Sequence, residues 1–201
     1  MVMTRNQRIG ILLALALAMA ATRVNLSLFH HDVRDASWAI FFLAGFWLRG
    51  NVRWAFPLLM AEAVLIDYLV ISHQGLNFWD HYCVSAAYWF LIPSYFSLWL
   101  GGSWLARHRL GLNLRTVGLA AAALLLSWAA CYLLSNGSYY WLSNTVPQPR
   151  SFAAWFANLS DWYLPYLQTM SLYVAIGAVL HALAVQLGRT PSRADQPNLP
   201  R

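Results

Sequence analysis

Residues 54–72 read WAFPLLMAEAVLIDYLVIS, a stretch in which only Glu62 and Asp67 carry a charge. A bilayer core about 30 Å thick is crossed by a helix of about 20 apolar residues, so this stretch predicts a transmembrane span. A carboxylate inside a membrane is costly and normally faces a cavity or a partner. The two acidic residues therefore predict a polar site within the span.

The composition of the whole chain leads to the same class of protein. Of its 201 residues, 60% are hydrophobic and 10% are charged, and 11 Trp, 10 Tyr and 10 Phe are present. Soluble domains average about 25% charged residues. The chain has no GxxxxGK[ST] loop, so ATP-driven work would need another polypeptide. It also has no basic face interleaved with aromatics of the kind that reads nucleic acid.

Six apolar stretches occupy most of the chain and leave no room for a soluble catalytic domain. We predict six transmembrane helices near residues 9–29, 36–48, 54–72, 83–106, 116–134 and 162–187. The second stretch is short and crosses a bilayer only with help from its flanks or from local thinning. The expected fold is an all-α integral membrane protein with one domain in residues 1–188. Residues 189–201 contain three prolines and few apolar residues, which predicts a disordered cytoplasmic tail.

The arginines predict the orientation of this bundle. All 13 basic residues are Arg, and ten of them fall on one side of a six-span bundle: Arg5, Arg8, Arg49, Arg53, Arg107, Arg109, Arg115, Arg189, Arg193 and Arg201. The opposite side holds Arg34 and Arg150, and Arg23 lies within the first span. Short loops that carry Arg stay on the cytoplasmic side of a membrane. The protein is therefore expected in a bacterial cytoplasmic (inner) membrane with both termini on the cytoplasmic side. The outward loops are then 30–35, 73–82 and 135–161.

An alternative for the N-terminus is a secretory signal. Arg5 and Arg8 precede an apolar run and the tripeptide Ala18-Met19-Ala20, which resembles a cleavage site. The apolar run continues to Phe29, and this length favours a span.

Titratable and metal-binding side chains gather on the predicted outer side. They are His30, His31, Asp32, Asp35, His73, Asp80, His81, Cys83 and Asp161. Asp67 lies about six residues, or roughly 9 Å, below the outer end of its span and is expected to line an outer cavity. Glu62 lies on a different face and is expected to pair with Arg23 or Arg53.

The fourth span is predicted to begin at Cys83, with Tyr88 about a turn and a half below it. Ala87, Phe90, Ser94 and Ser97 follow Cys83 at helical spacing. Because most of them are small or polar, they predict a helix face turned toward protein or a cavity rather than toward lipid. Three interpretations of Cys83 stay open: a disulfide with Cys131, an inert buried thiol, or a ligand or nucleophile.

Two further segments each have two interpretations. The loop 135–161 is rich in Trp, Tyr and Phe, which is typical of an interfacial belt or of a lid over a bulky ligand. The first span carries Ala14, Ala16, Ala18 and Ala20, which favour close packing within the bundle or docking of a partner helix.

Together these features resemble the BtuM-type cobalamin-specific S-components of energy-coupling factor (ECF) transporters. The resemblance rests on six spans, on His30-His31 after the first, on Asp67 in the third, and on His81-Tyr82-Cys83 with Tyr88 at the fourth. It covers roughly residues 25–165. It implies that Cys83 is an axial ligand of the corrin cobalt, and that His31, Asp67 and Tyr88 help to form an outward-facing pocket. It further implies that small residues of the first span dock on a coupling subunit driven by two ATPases.

The chemistry of Cys83 agrees with vitamin B12 (cobalamin) as the ligand. One soft thiolate suits a metal already held in a macrocycle, whereas a bare zinc site needs three or four protein ligands. Ligation needs the thiolate, so binding is expected to strengthen with pH until the thiol is ionised. A thiolate donor also labilises the ligand on the opposite face of cobalt, which gives the hypothesis that the protein removes cyanide from cyanocobalamin.

Two rival functions stay open. A membrane thiol-disulfide redox protein would use Cys83 and Cys131, although the chain has no CxxC motif. A haem-binding or metal-binding membrane protein would use His30, His31 and His73 with His81, although the chain has no CxxCH motif.

Overall fold

The apolar stretches of the sequence form helices, because a backbone in lipid must satisfy its hydrogen bonds within its own segment. The computed structural model describes residues 3–28, 34–81, 84–108, 111 and 113–187, and no strand occurs among them. Its six α-helices are α1 (Arg5–Leu28), α2 (Ser37–Trp47), α3 (Val52–His73), α4 (Leu91–Leu105), α5 (Leu114–Leu142) and α6 (Phe152–Leu187). Short 3-10 helices cover Arg49–Asn51, Phe78–Asp80 and Ala86–Phe90. The predicted tail 189–201 lies outside the described residues.

Four of the helices are long and apolar enough to cross a bilayer. The qualifying stretches are Arg5–Val24, Arg49–His73, Leu114–Leu142 and Phe152–Gln186. The other two helices are shorter, with 11 residues in α2 and 15 in α4. At 1.5 Å per residue they measure about 16 Å and about 22 Å. The all-helical, membrane-type fold is therefore confirmed, while length alone supports four crossings rather than six.

The start of α4 differs from the prediction. The α-helix begins at Leu91, and a 3-10 helix over Ala86–Phe90 precedes it. Ser85 has extended backbone and its hydroxyl oxygen accepts a hydrogen bond from the Ala87 N–H at 3.3 Å, which starts a tight turn instead of an α-helix. An α-helix that begins at Cys83 is therefore wrong, although Ala87 and Ser94 are buried, as predicted for a face turned toward protein or a cavity. Pro93 falls in the first turn of α4, where its missing N–H costs no helical hydrogen bond.

The predicted lid loop 135–161 is also largely wrong. Helix α5 continues to Leu142 and α6 already begins at Phe152, so the connection contains only residues 143–151. The Arg150 guanidinium closes this connection by donating to the carbonyl oxygens of Trp141 and Ser143. A basic side chain on the last carbonyls of a helix stabilises its C-terminal end. The aromatic residues of this region consequently lie on helices.

The short helix α2 is the centre of the bundle. Ala39, Phe41 and Ala44 are fully buried and Phe42 is 2% exposed, as expected for a helix that is apolar on all sides. It packs closely against α4 through glycines. A methyl group on Gly45 would overlap the backbone of Trp99, and one on Gly102 would overlap the carbonyl oxygen of Phe42.

The helices alternate in direction, which gives the bundle two unlike ends. At one end, the Arg23 side chain of α1 contacts Asp35 just before α2, Asp67 late in α3 and Tyr95 early in α4. We call this the Asp67 end. At the other end, Arg49 donates to the carbonyl oxygen of Ala106 at 2.7 Å.

We call that other end the arginine end. The described arginines that belong to it by helix direction are Arg5, Arg8, Arg49, Arg53, Arg107 and Arg115. The described acidic residues are Asp35, Glu62, Asp67, Asp80 and Asp161, and none of them lies at the arginine end. Positive charge is therefore separated from the carboxylates along the bundle axis.

The α2–α4 contact predicts a specific sensitivity to one added methyl group. We expect Gly102→Ala to destabilise the protein by about 1–3 kcal/mol, because the two backbones must move apart to admit a Cβ atom. Gly118→Ala is the matched control, since no atom lies within 4 Å of a Cβ at that helical position. It should be neutral or stabilising, because Ala favours a helix over Gly. Thermal unfolding in detergent measures both, and equal melting temperatures for the two variants would contradict the close contact.

Candidate functional site

An open cavity of about 780 Å³ lies at the Asp67 end. It is bounded by the last turns of α1 and α3, by the beginning of α4 and the 3-10 helix before it, by the second half of α5, and by the connection after α3. Its lining consists of Arg23, Asp35, Trp38, Asp67, Val70, Ile71, Gln74, Leu76, Asn77, His81, Ala87, Tyr88, Leu91, Tyr95, Ser135 and Tyr139. The volume falls in the upper half of the range for small-molecule sites, about 300–1,000 Å³.

An ion pair between Arg23 and Asp67 forms one wall of the cavity. Arg23 Nε lies 2.7 Å from Asp67 Oδ1, and Arg23 Nη2 lies 2.8 Å from Asp67 Oδ2. This is the bidentate geometry in which a guanidinium matches a carboxylate. The two side chains are only 13% and 20% exposed, so the pair is largely removed from solvent. It joins α1 to α3 at this end of the bundle.

The remaining guanidinium nitrogen of Arg23, Nη1, extends the hydrogen-bond network to α2 and α4. Arg23 Nη1 donates to Ser37 Oγ at 2.8 Å, approaches Asp35 Oδ2 at 3.5 Å, and lies 3.4 Å from the Tyr95 hydroxyl. Asp35 in turn accepts hydrogen bonds from the backbone N–H and the hydroxyl of Ser37, at 2.9 and 2.6 Å. One guanidinium therefore faces two carboxylates, and the wall carries a net negative charge when both are ionised.

Tyr88 completes the network from the 3-10 helix before α4. Its hydroxyl donates to Asp67 Oδ2 at 2.7 Å. Hydrogen bonds to an ionised acceptor are shorter and about twice as strong as neutral ones. Asp67 is consequently held on one side by Arg23 and on the other by Tyr88, and its position in the cavity wall is fixed from two helices.

The structure brings together two of the four predicted ligand-binding residues. Asp67 and Tyr88 both line the cavity and are hydrogen-bonded to each other. His31 and Cys83 lie outside the described residues. His81, two positions before Cys83 in the chain, lines the cavity. The assignment of Cys83 as metal ligand and as the residue that removes the upper ligand stays a prediction.

The predicted pairing of Glu62 is wrong. The carboxylates that contact Arg23 are Asp67 and Asp35, and within the described part of the chain Glu62 forms no ion pair with Arg23 or Arg53. The reason is position along the axis. Arg23 comes near the end of α1, and with α1 and α3 running in the same direction its level matches Asp67, whereas Glu62 lies more than a turn lower on α3.

Several residues of the cavity were not predicted from the sequence. Gln74 and Asn77 contribute amides from the connection after α3, and Ser135 and Tyr139 contribute hydroxyls from α5. Ser135 and Tyr139 are four residues apart and so lie on one face of α5. Two hydroxyl groups on one face of an apolar helix were the sequence signal that could have placed them in the site. No sequence signal ties Gln74 and Asn77 to the site, because polar residues are ordinary in loops.

The structure describes only part of the residues on which the two rival functions depend. Cys131 is a free cysteine with 1% exposure, packed in the hydrophobic core, where a redox partner protein cannot reach it. Over the described ranges, no group of three or more His, Cys, Asp and Glu side chains could hold a metal ion. His30 and His31 lie outside those ranges, and His73 is exposed beyond the cavity lining.

Comparison of the chain with protein-family models and curated proteins assigns it no family. No protein-family model matches it, and no curated protein shows significant sequence similarity to it. Its function therefore has to be inferred from the chemistry of the cavity. That cavity offers apolar walls from Val70, Ile71 and Leu91, a flat indole from Trp38, and polar groups at defined positions.

The Arg23–Asp67 pair predicts a large effect of removing one partner. We expect Asp67→Asn to cost about 3 kcal/mol of folding free energy, because the substitution leaves a poorly solvated guanidinium with only the more distant Asp35. Asp161→Asn is the matched control, since Asp161 is exposed on α6 and forms no ion pair in the described structure. Melting temperatures in detergent measure the difference, about 6–12 °C for a chain of this size. An unchanged melting temperature for Asp67→Asn would contradict the pair.

Proposed function

We propose that this protein binds cobalamin in the cavity at the Asp67 end and serves its uptake across the bacterial cytoplasmic membrane, as the substrate-binding subunit of an ECF-type transporter. One observation carries the proposal. Asp67 and Tyr88, which the family resemblance assigns to the pocket, meet in one wall of a large cavity that His81 also lines. Cys83, the expected cobalt ligand, follows His81 by two residues in the chain.

The separation of charge supports the expected orientation. Arginine-rich segments stay on the cytoplasmic side of a membrane, so the arginine end is the cytoplasmic end of the bundle. The cavity opens at the opposite end and faces the periplasm, from which a binding subunit of an importer receives its ligand. With six crossings both termini are cytoplasmic. The short helices α2 and α4 then cross as part of the bundle, with α2 shielded from lipid by its neighbours.

The lining of the cavity suits a corrinoid. A corrin ring presents broad apolar faces and carries amide side chains around its edge. The apolar walls and the Trp38 indole match the faces, and the amides of Gln74 and Asn77 with the hydroxyls of Ser135 and Tyr139 match the edge. Asp67 accepts three hydrogen bonds from Arg23 and Tyr88, so its proposed role is to order the wall of the pocket rather than to carry a free charge to the ligand.

The Cys83 thiolate is the proposed axial ligand of cobalt, which is cargo here and not a resident cofactor. When the thiolate binds one face of cobalamin, cyanide on the other face is labilised and leaves with its bonding electron pair. The proton that the thiol loses leaves with cyanide as hydrogen cyanide, and cobalt keeps its oxidation state because the complex gains one anionic ligand and loses another. The protein would in this way release cyanide from cyanocobalamin while retaining the corrinoid.

The first helix supports docking of a coupling subunit. Ala14 and Ala18 lie on an exposed face of α1, and the neighbouring Leu13 and Leu17 are 57% and 71% exposed. Ala16 is half-buried against the core. Small residues four apart allow another helix to approach closely. We propose that this exposed face binds a coupling subunit driven by ATPases.

Ligation by Cys83 predicts a change in the absorption spectrum of cobalamin. Purified wild-type protein with cyanocobalamin should give a spectrum that differs from the free vitamin, because sulfur replaces the nitrogen or water ligand of cobalt. Cys83→Ala should lose this difference, whereas Cys131→Ala should keep it, because Cys131 is buried in the core away from the cavity lining. A spectrum identical to free cyanocobalamin, or an equal change in the Cys83→Ala variant, would refute the ligation.

Uptake is tested by growth. A B12-dependent bacterium that lacks its own importer should grow on low cobalamin when it expresses the wild-type protein, and should lose this growth with Cys83→Ala. The protein isolated from these cells should contain cobalt in near one-to-one amount. Iron or zinc in place of cobalt would contradict the proposal. Cobalt with a corrinoid spectrum but without growth would keep cobalamin binding and would overturn uptake by this chain with the subunits of that host.

A further inference from the structure

A second, smaller cavity of about 340 Å³ lies at the arginine end, between the beginning of α3 and the end of α4. It is lined by Arg49, Gly50, Val52, Phe96, Trp99, Leu100, Ser103 and Arg107. The lining divides into two parts. Two arginines stand at the end of the bundle, and apolar side chains continue along α4 toward its middle. We call this feature the α3–α4 groove.

The two arginines of the groove have no acidic partner among the residues that the structure describes. None of the described carboxylates lies at this end, and the Arg107 guanidinium forms no hydrogen bond or ion pair with any residue that the structure describes. Arg49 makes one hydrogen bond, to the carbonyl oxygen of Ala106, and keeps its remaining N–H donors. Two unneutralised guanidinium groups at one site favour a phosphate group, which accepts bidentate hydrogen bonds from Arg.

The apolar part of the groove faces outward from the bundle. Phe96 is 37% exposed and Leu100 is 51% exposed. Along α4 they lie about 16 Å and about 10 Å from the level of Arg107, which is the direction of the bilayer core. Trp54 and Trp104 are exposed at the arginine end, the depth at which amphipathic indoles gather in membrane proteins. The groove thus has positively charged side chains at its end and apolar side chains toward the level of the bilayer core.

We propose that the α3–α4 groove binds an anionic phospholipid, with the phosphodiester between Arg49 and Arg107 and an acyl chain along Leu100 and Phe96. Basic pockets between transmembrane helices on the cytoplasmic side recognise anionic headgroups in this way. The lipid would fill the space between α3 and α4 at the end opposite the large cavity. This proposal rests on the membrane character of the helices and is independent of cobalamin.

The test uses full-length protein in detergent, titrated separately with phosphatidylglycerol and with phosphatidylcholine of the same acyl chains. Native mass spectrometry counts the lipids that stay bound. Wild type should retain phosphatidylglycerol in preference to phosphatidylcholine. Arg107→Gln should weaken phosphatidylglycerol binding about fivefold and leave phosphatidylcholine unchanged. Arg115→Gln is the matched control, because it removes the same charge from the same end without touching the groove, and should change binding less than twofold.

Arg49→Gln is a second variant and should also weaken phosphatidylglycerol binding, with folding checked by its melting temperature because Arg49 also holds the end of α4. Inorganic phosphate is the probe for a headgroup site without an acyl chain. Phosphate that bound as tightly as the lipid would overturn the lipid assignment. Equal binding of the two lipids, or equal loss in Arg107→Gln and Arg115→Gln, would also overturn it, because either result would mean diffuse surface charge.

Discussion

The bidentate pair between Arg23 and Asp67 constrains the rest of this structure. Neither charge is tolerated alone beside a bilayer core, so each must face the other from its own helix. The pair sets α1 against α3, and the same guanidinium contacts Ser37 at the beginning of α2 and Tyr95 near the beginning of α4. Four helices therefore share one end point. The space left beside that point is the large cavity, and Tyr88 fixes the carboxylate that borders it.

The two ends of the bundle have different chemistry because their charges are segregated. The Asp67 end holds the cavity, and its arginines have partners: Arg23 contacts two carboxylates, and Arg150 caps α5. The arginine end has no carboxylate among the described residues, and the described arginines there form no ion pair. Under the two binding proposals, the Asp67 end receives cobalamin and the arginine end receives an anionic headgroup. Glycines bring the backbones of α2 and α4 into close contact.

The length of each apolar stretch allowed the helices to be predicted. The sequence did not reveal which way each helix faces or where some helices begin and end. The short helix α2 was expected near 36–48 and occupies Ser37–Trp47, because its flanks are polar and its interior is apolar throughout. The partner of Arg23 was missed, since a helix apolar on most sides gives no periodicity that fixes its facing. The beginning of α4 was missed because Ser85 starts a tight turn inside an apolar run. The lengths of α5 and α6 were missed because their aromatic ends suit a loop as well as a helix.

The most direct measurement is the accessibility of Cys83 in intact, right-side-out membrane vesicles. In a Cys131→Ala background Cys83 is the only thiol, and a membrane-impermeant maleimide should label it from the periplasmic side. Added cobalamin should slow this labelling, because the thiolate would be bound to cobalt in a cavity that opens outward. Labelling only in inverted vesicles would contradict the orientation. Labelling at the same rate with and without cobalamin would contradict the proposed ligation.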